Sequence, residues 1–166
     1  MKIAIVSDSH DNLANLEKFL GYAEKEGVEL VIHCGDVTNA ETLEMLAKSF
    51  PGPIHFVYGN VANNPEDLAE VAEKLPNLHL YGHEGKIEVE GKVLGFCHKP
   101  EEAQGLSQKG NFDFIFYGHT HLPWVEKRGS TLLVNPGTLG GVFTEPTFTF
   151  LDIGSNKLEL KRLQSL

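Results

Sequence analysis

Short apolar runs alternate with helically spaced apolar residues through the first half of the chain. Ile3–Val6 has the size of a buried strand. Leu13, Leu16, Leu20 and Ala23 then recur at helical spacing, and Gly27 suits the C-cap. Leu30–Ile32 predicts a second strand. Asn39 can cap a helix reaching Lys48, with Leu43, Leu46 and Ala47 inward. Ile54–Tyr58 predicts the third strand, and Pro65 suits the first turn of a helix over Glu66–Lys74.

The texture changes after Pro76. Ile87 and Val89 alternate with charged residues, Glu90-Gly91-Lys92 turns, and Val93–Cys97 returns as a hairpin. Glu101–Lys109 predicts a short helix and Phe112–Tyr117 a strand. Two further hairpins follow, one from Val125 to Val134 about Arg128-Gly129-Ser130, the other about Gly154-Ser155-Asn156. The economical architecture is α/β, with two packed sheets flanked by helices and residues 1–166 as one domain.

Composition changes this picture little. The chain has 166 residues, 41% hydrophobic and 22% charged, as an ordinary globule does. The N-terminal apolar run is too short for a signal-peptide core, and no run is long enough for a membrane span. The expected compartment is the cytoplasm, where Cys34 and Cys97 are reduced and read as small buried strand residues. A net charge of −9 with no basic stripe argues against extended nucleic acid as a partner. It does not exclude small anions, because bound metal ions invert a local field.

The strand ends carry the chemistry. IAIV is followed by SDSH, LVI by HCGD, IHFVY by GN, VLGFC by H and FIFY by GHTH. Each run stops at a metal-capable group: Asp8 with His10, Asp36, Asn60, His98, and His119 with His121. In α/β sheets, functional groups gather at the carboxyl ends of strands. Taken singly, each has a plain alternative: Asp8 and Asp36 as turn residues, Asn60 as a loop cap, His98 as a satisfied histidine. The conjunction argues otherwise. The set is too large for one tetrahedral zinc and suits two ions sharing a carboxylate. Mixed N/O ligation without thiolate suits Mn²⁺, Fe, Co²⁺, Ni²⁺ or Zn²⁺. In an extended turn, His119 and His121 would project to one side and reach two ions about 3.5–4 Å apart. His33, His55, His79 and His83 lack this placement and read as structural or solvent-facing.

In order and spacing, Asp8-Ser-His10, Gly35-Asp36, Gly59-Asn60, His98 and Gly118-His119-Thr-His121 resemble the calcineurin-like metallophosphoesterase superfamily, in its small bacterial and archaeal phosphodiesterase branch. Asn135-Pro136-Gly137 extends the likeness. The resemblance implies a four-layer α/β/β/α sandwich of two mixed sheets. It implies one ion held by Asp8, His10, His121 and a bridging Asp36, and another by Asp36, Asn60, His98 and His119. Asn60 and His98 are also expected to act catalytically, Asn60 by orienting a phosphoryl oxygen. Manganese is the ion implied first. The activity implied is hydrolysis of small phosphate diesters by a metal-bridging hydroxide; many small relatives self-associate, which leaves a homo-oligomer open.

Two departures qualify this. The superfamily often carries a proton-donating His after Gly-Asn, where this chain has Val61. Without a donor, activated aryl esters are expected to be turned over far better than alkyl esters. What replaces the donor is not legible in the sequence. After His98 stand Lys99 and Pro100 in place of Gly-His; Lys99 reads as a solvated loop lysine rather than a phosphate contact. The scarcity of cations near the motifs favours diesters over dianionic monoesters. The alternatives are a phosphomonoesterase and a non-catalytic scaffold of the same fold that binds protein.

Overall fold

The computed structural model describes residues 1–61 and 63–166. The strands are β1 (Lys2–Val6), β2 (Leu30–His33), β3 (Ile54–Phe56), β4 (Leu78–Leu80), β5 (Glu84–Val89), β6 (Lys92–Cys97), β7 (Phe114–Phe116), β8 (Trp124–Arg128), β9 (Thr131–Asn135), β10 (Thr147–Asp152) and β11 (Lys157–Arg162). The helices are α1 (Leu13–Glu26), α2 (Ala40–Ser49), α3 (Pro65–Lys74) and α4 (Pro100–Lys109). One sheet runs β11-β10-β1-β2-β3-β4 and the other β5-β6-β7-β9-β8. In the first, β1 to β4 pair in parallel, with β4 at the edge; in the second, the central β6, β7 and β9 do. Antiparallel strands complete both sheets.

The period-two alternation of β1 sorts the core into layers. Ala4 and Val6 face α1 and α2, in a cluster with Leu16, Phe19, Leu43 and Leu46. Ile3 and Ile5 face the other way, against Leu94, Phe96, Phe114 and Phe116 of the second sheet. That sheet's outer face packs Cys97, Ile115 and Leu133 under Ala103 and Leu106 of α4. The result is the expected α/β/β/α sandwich.

Helix ends follow local chemistry. Asn12 caps α1 by accepting from Asn15 N, and Gly27 closes it at φ 67°. Asn64 caps α3 by accepting from Glu66 N, with Pro65 opening the helix. Asn39 precedes α2 as expected, but its side chain makes no cap bond; it donates instead to Asp11 Oδ2 at 2.7 Å.

Several boundaries differ from the sequence reading. β3 stops at Phe56 rather than Tyr58, and β7 covers Phe114–Phe116 rather than 112–117. Phe112 instead packs beneath α4. β4 has no counterpart in that reading: Leu-His-Leu at a sheet edge is too short to show a period. The first hairpin also begins earlier, at Glu84, because Gly85 leaves room for the Phe96 ring. No helix among the described residues is long and apolar enough to cross a membrane. Cys34 and Cys97 are buried and free, and burial raises both thiol pKa values.

Candidate metal centre

The loops that follow β1, β2, β3, β6 and β7 meet at one point. Asp8 N donates to Gly35 O at 3.0 Å and His10 N to Asp36 O at 3.1 Å, which ties the first two loops together. Asp11 Oδ1 accepts from Thr38 N and Asn39 N across the same seam. His119 N donates to Asp8 Oδ2 at 3.0 Å, which joins the second sheet to the first. Asn135, at the end of β9, donates to Gly118 O at 2.8 Å and Thr120 Oγ1 at 3.0 Å and so fixes the Gly-His-Thr-His loop.

The backbone here is tightly folded. Positive φ occurs at Asp8 (52°), His10 (44°), Asp36 (60°), His119 (71°) and His121 (59°), a region costly for residues with a Cβ. Such values persist where the surroundings over-determine them, and they cluster at functional sites. The turn through His119 and His121 is therefore not extended, as the sequence suggested. It is a left-handed bend that sends the two rings to different places.

His121 goes to the first group. Its Nδ1–H donates to Val142 O at 3.1 Å, which leaves the Nε2 lone pair inward. Nε2 lies 3.1 Å from Asp8 Oδ1 and 3.2 Å from His10 Nε2. His10 Nε2 is 3.9 Å from both Asp8 Oδ1 and Asp36 Oδ2. Ligand-capable atoms of Asp8, His10, Asp36 and His121 all lie within 4.8 Å of one another.

His119 goes to the second group, where its Nδ1 lies 2.8 Å from Asn60 Oδ1. His98 Nε2 is also 2.8 Å from Asn60 Oδ1 and 3.4 Å from Asp36 Oδ2. The other ring nitrogen of His98 donates to Cys34 O at 2.8 Å. This is the arrangement that orients a metal-ligating imidazole. Asp36 stands between the groups. Its Oδ1 accepts from Asn60 N at 2.8 Å and Val61 N at 3.2 Å, so Oδ2 is held toward His10 and His98.

The electrostatics fit cations. Asp8 Oδ1 is buried and has no hydrogen bond; His121 Nε2 is near it but outside bonding geometry. Such an orphaned anionic oxygen is costly unless a cation meets it. Burial pushes the Asp8 carboxyl pKa up. For Asp36 burial acts the same way, but the His98 hydrogen bond and charge, with the Val61 and Asn60 N–H groups, hold it below the usual range. Burial lowers the pKa of His98, yet Asp36 and Asp8 together raise it. Asn60 Oδ1 and Asp36 Oδ2 both face its Nε2, and positive charge is what that point favours. The donor set therefore fits divalent ions of the N/O-ligated kind.

His33 is the buried histidine that supports the site without joining it. Its Nδ1 accepts from Gly35 N at 3.3 Å, so Nε2–H donates to Ser9 Oγ at 3.1 Å, and Ser9 donates on to Asp36 O at 3.3 Å. Burial lowers its pKa to about 4, against the opposing pull of Asp36. The unfolded ring titrates near 6.5, so between pH 6.5 and 4 the unfolded chain binds the extra proton and stability falls on acidification. Across that window the loss amounts to about 3 kcal/mol at 1.36 kcal/mol per pKa unit. His33→Asn is expected to flatten this acid limb. Denaturant unfolding in chelator at pH 7 and pH 5 checks it; equal slopes for both proteins would contradict it.

The sequence reading misses the supports rather than the candidate donors. Asn135 enters it only as part of a likeness, and Thr138, whose Oγ1 donates to Asp8 O at 2.9 Å, does not enter at all. The available signal is position, since both follow the apolar run of β9. His55 stacks on His79, with ring centroids 4.8 Å apart, away from the centre. Lys99 is exposed at the N-terminus of α4.

Comparison with known proteins finds relatives that share the fold. A family model described as the calcineurin-like phosphoesterase superfamily domain matches residues 1–156. A phosphodiesterase of Methanocaldococcus jannaschii is 30% identical over 155 residues, covering 92% of this chain and 93% of its own. A solved archaeal phosphodiesterase superposes with TM-score 0.88 at 28% identity, covering 98% of this chain and 99% of that one. Vps29 of Entamoeba histolytica shares the fold, with TM-score 0.71, 19% identity, and coverage of 98% and 99%.

Proposed function

The chain belongs to the calcineurin-like phosphoesterase superfamily, and from that premise we propose that it is a binuclear metal-dependent phosphodiesterase. The observation that carries the reading is Asp36, whose Oδ2 lies between the two donor groups. On this reading Asp8, His10, His121 and Asp36 hold one ion, and Asp36, Asn60, His98 and His119 the other. Manganese is the ion proposed, on the resemblance to the superfamily, and the carboxylate and amide oxygens among the donors suit it. When bound, two such ions supply a nucleophile from water near neutral pH and neutralise charge on the phosphoryl oxygens.

The chain's own residues fix the geometry. The paired N–H groups of Asn60 and Val61 lock the Asp36 rotamer. The carbonyls of Cys34 and Val142 set the tautomers of His98 and His121. The relatives named phosphodiesterase support a diester as substrate. So does the scarcity of cations: among the described residues, Lys99 is the one lysine or arginine on the cavity beside Asn60 and His98. A dianionic monoester normally requires a stronger clamp. Two buried, unpaired thiols suit a reducing compartment, the cytoplasm.

The test is hydrolysis of an aryl phosphodiester beside its monoester, with Mn²⁺, Ni²⁺, Co²⁺, Zn²⁺ and Mg²⁺ in turn. Turnover is expected only with added metal, at least about tenfold faster for the diester, a difference of about 1.4 kcal/mol in the barrier. A faster monoester would make the protein a phosphomonoesterase. One observation favours a second reading, a protein-binding scaffold: Leu122, Trp124, Val125 and Phe143 are exposed apolar residues beside the His121 loop. Two bound ions with no turnover of either ester would move that reading ahead.

A further inference from the structure

β4 brings a group to the centre that the sequence did not place there. Its carboxyl end runs through Tyr81, Gly82 and His83 before β5 begins at Glu84. Two backbone ladders locate His83. In the first sheet, Tyr58 N donates to Gly82 O at 2.7 Å, so the residue after Gly82 lies beside the Gly59-Asn60 step. In the second, Glu84 pairs with Cys97. Continued one step, that antiparallel register sets His83 opposite His98. His83 thus stands where the chain crosses between sheets, against the loops of Asn60 and His98.

The side chains agree. One cavity of about 380 Å³ is lined by Tyr58, Asn60, His83, His98 and Lys99, with Glu102 at its edge. His98 is buried on its floor, while His83 is exposed at its mouth. The His83 ring leans on Tyr58, with centroids 5.9 Å apart and planes tilted by 58°.

On the reading above, the ring nitrogens that face the centre are given over to metal and are not free to protonate a leaving group. Asn60 Oδ1, His98 Nε2 and His119 Nδ1 meet in contacts of 2.8 Å and are the candidate ligand atoms of the second group. The Nδ1–H groups of His98 and His121 are spent on carbonyls. Val61 has none to give. Along the cavity wall, the Tyr58 hydroxyl donates to Pro65 O at 3.2 Å. Glu102 accepts from His98 N and Lys99 N. Among side-chain acids, an imidazolium is the one matched to proton transfer near neutrality.

Building on the phosphodiesterase reading, we propose that His83 is the general acid that protonates the leaving-group oxygen. The oxygen of water forms the new bond to phosphorus, and its proton passes to solvent. The bond from phosphorus to the leaving oxygen breaks, and that oxygen keeps the electron pair. It takes a proton from the His83 imidazolium, and the neutral ring regains one from solvent at the cavity mouth. The steep aryl preference expected from Val61 alone is accordingly softened in the native chain.

The test uses the metal-loaded full chain and methyl diesters whose leaving alcohol runs from nitrophenol through phenol to an alkyl alcohol. In His83→Gln, turnover of the alkyl ester is expected to fall by about 10²–10⁴-fold and that of the nitrophenyl ester by less than about threefold. Lys99→Met is expected to keep the native leaving-group slope. Metal stoichiometry and thermal unfolding of both variants should match the native chain, since neither side chain is a candidate ligand or part of the core. An unchanged slope in His83→Gln, a uniform loss across the series, or a steeper slope in Lys99→Met would overturn the assignment. Should the native chain hydrolyse no ester of the series, the phosphodiesterase reading falls and the role of His83 with it. Native turnover with an unmoved slope removes His83 alone.

Discussion

Asp36→Ala is expected to abolish metal-dependent diester hydrolysis, by about 10³-fold or more, because ion-supplied charge stabilisation is worth several kcal/mol at 1.36 kcal/mol per decade. Other candidate ligands serve one donor group each. Asp36 faces both, with Oδ2 3.9 Å from His10 Nε2 and 3.4 Å from His98 Nε2. Its loss should therefore lower the bound metal from two ions toward none. Alanine also strands the Asn60 and Val61 N–H groups that Oδ1 accepts, at a cost of about 1–3 kcal/mol if they stay dry. Asp36→Asn separates the two effects. Its amide oxygen still accepts both N–H groups, so the loop is kept while the charge is lost. Metal analysis beside kcat/KM distinguishes the cases. Two retained ions with turnover within about tenfold of native, in either variant, would remove Asp36 from the bridging role.

The candidate site was more legible in the sequence than the fold that carries it. Strand ends announce themselves locally, because an apolar run must stop where polar ligands begin. Thus Asp8, Asp36, Asn60, His98 and His119 each stand out from the run before them. What the sequence lacks is pairing. That β10 joins the first sheet beside β1, or that β9 lies between β7 and β8, depends on contacts distant along the chain. β4 is hidden for a related reason: three edge residues gain strand geometry from β3, not from their own pattern. His83 is lost with it. Its position follows from two ladders in two sheets, and no local reading of Tyr-Gly-His supplies either. The His119 turn shows the opposite limit. The spacing suggests two destinations, and the structure sends the rings to two groups, but through left-handed backbone that periodicity does not encode.

The glycines at the strand ends carry the other large effect. Gly59→Ala is expected to cost about 10²-fold in kcat/KM, the scale of a roughly 1 Å displacement of a catalytic group. A Cβ at Gly59 would fall on Asp36 Oδ1 and on the Asp36 backbone nitrogen, and stand 2.6 Å from Asp36 Cγ. Rotating the carboxylate relieves only part of this overlap, since the nitrogen belongs to the main chain. The two loops must separate, and the Asn60 N–H leaves Oδ1 as they do. Overpacking of this kind costs about 1–3 kcal/mol in stability, so the domain should still fold. Gly105→Ala supplies the control. Gly105 lies inside α4 with nothing within 4 Å of where a Cβ would stand, so the added methyl meets no neighbour. Helix propensity then favours alanine by about 0.5–1 kcal/mol, and thermal stability should rise with activity unchanged. Metal content, kcat/KM and Tm of the two variants together decide the matter. Native activity in Gly59→Ala would mean that the Asp36 carboxylate need not sit where the Gly59 backbone now holds it.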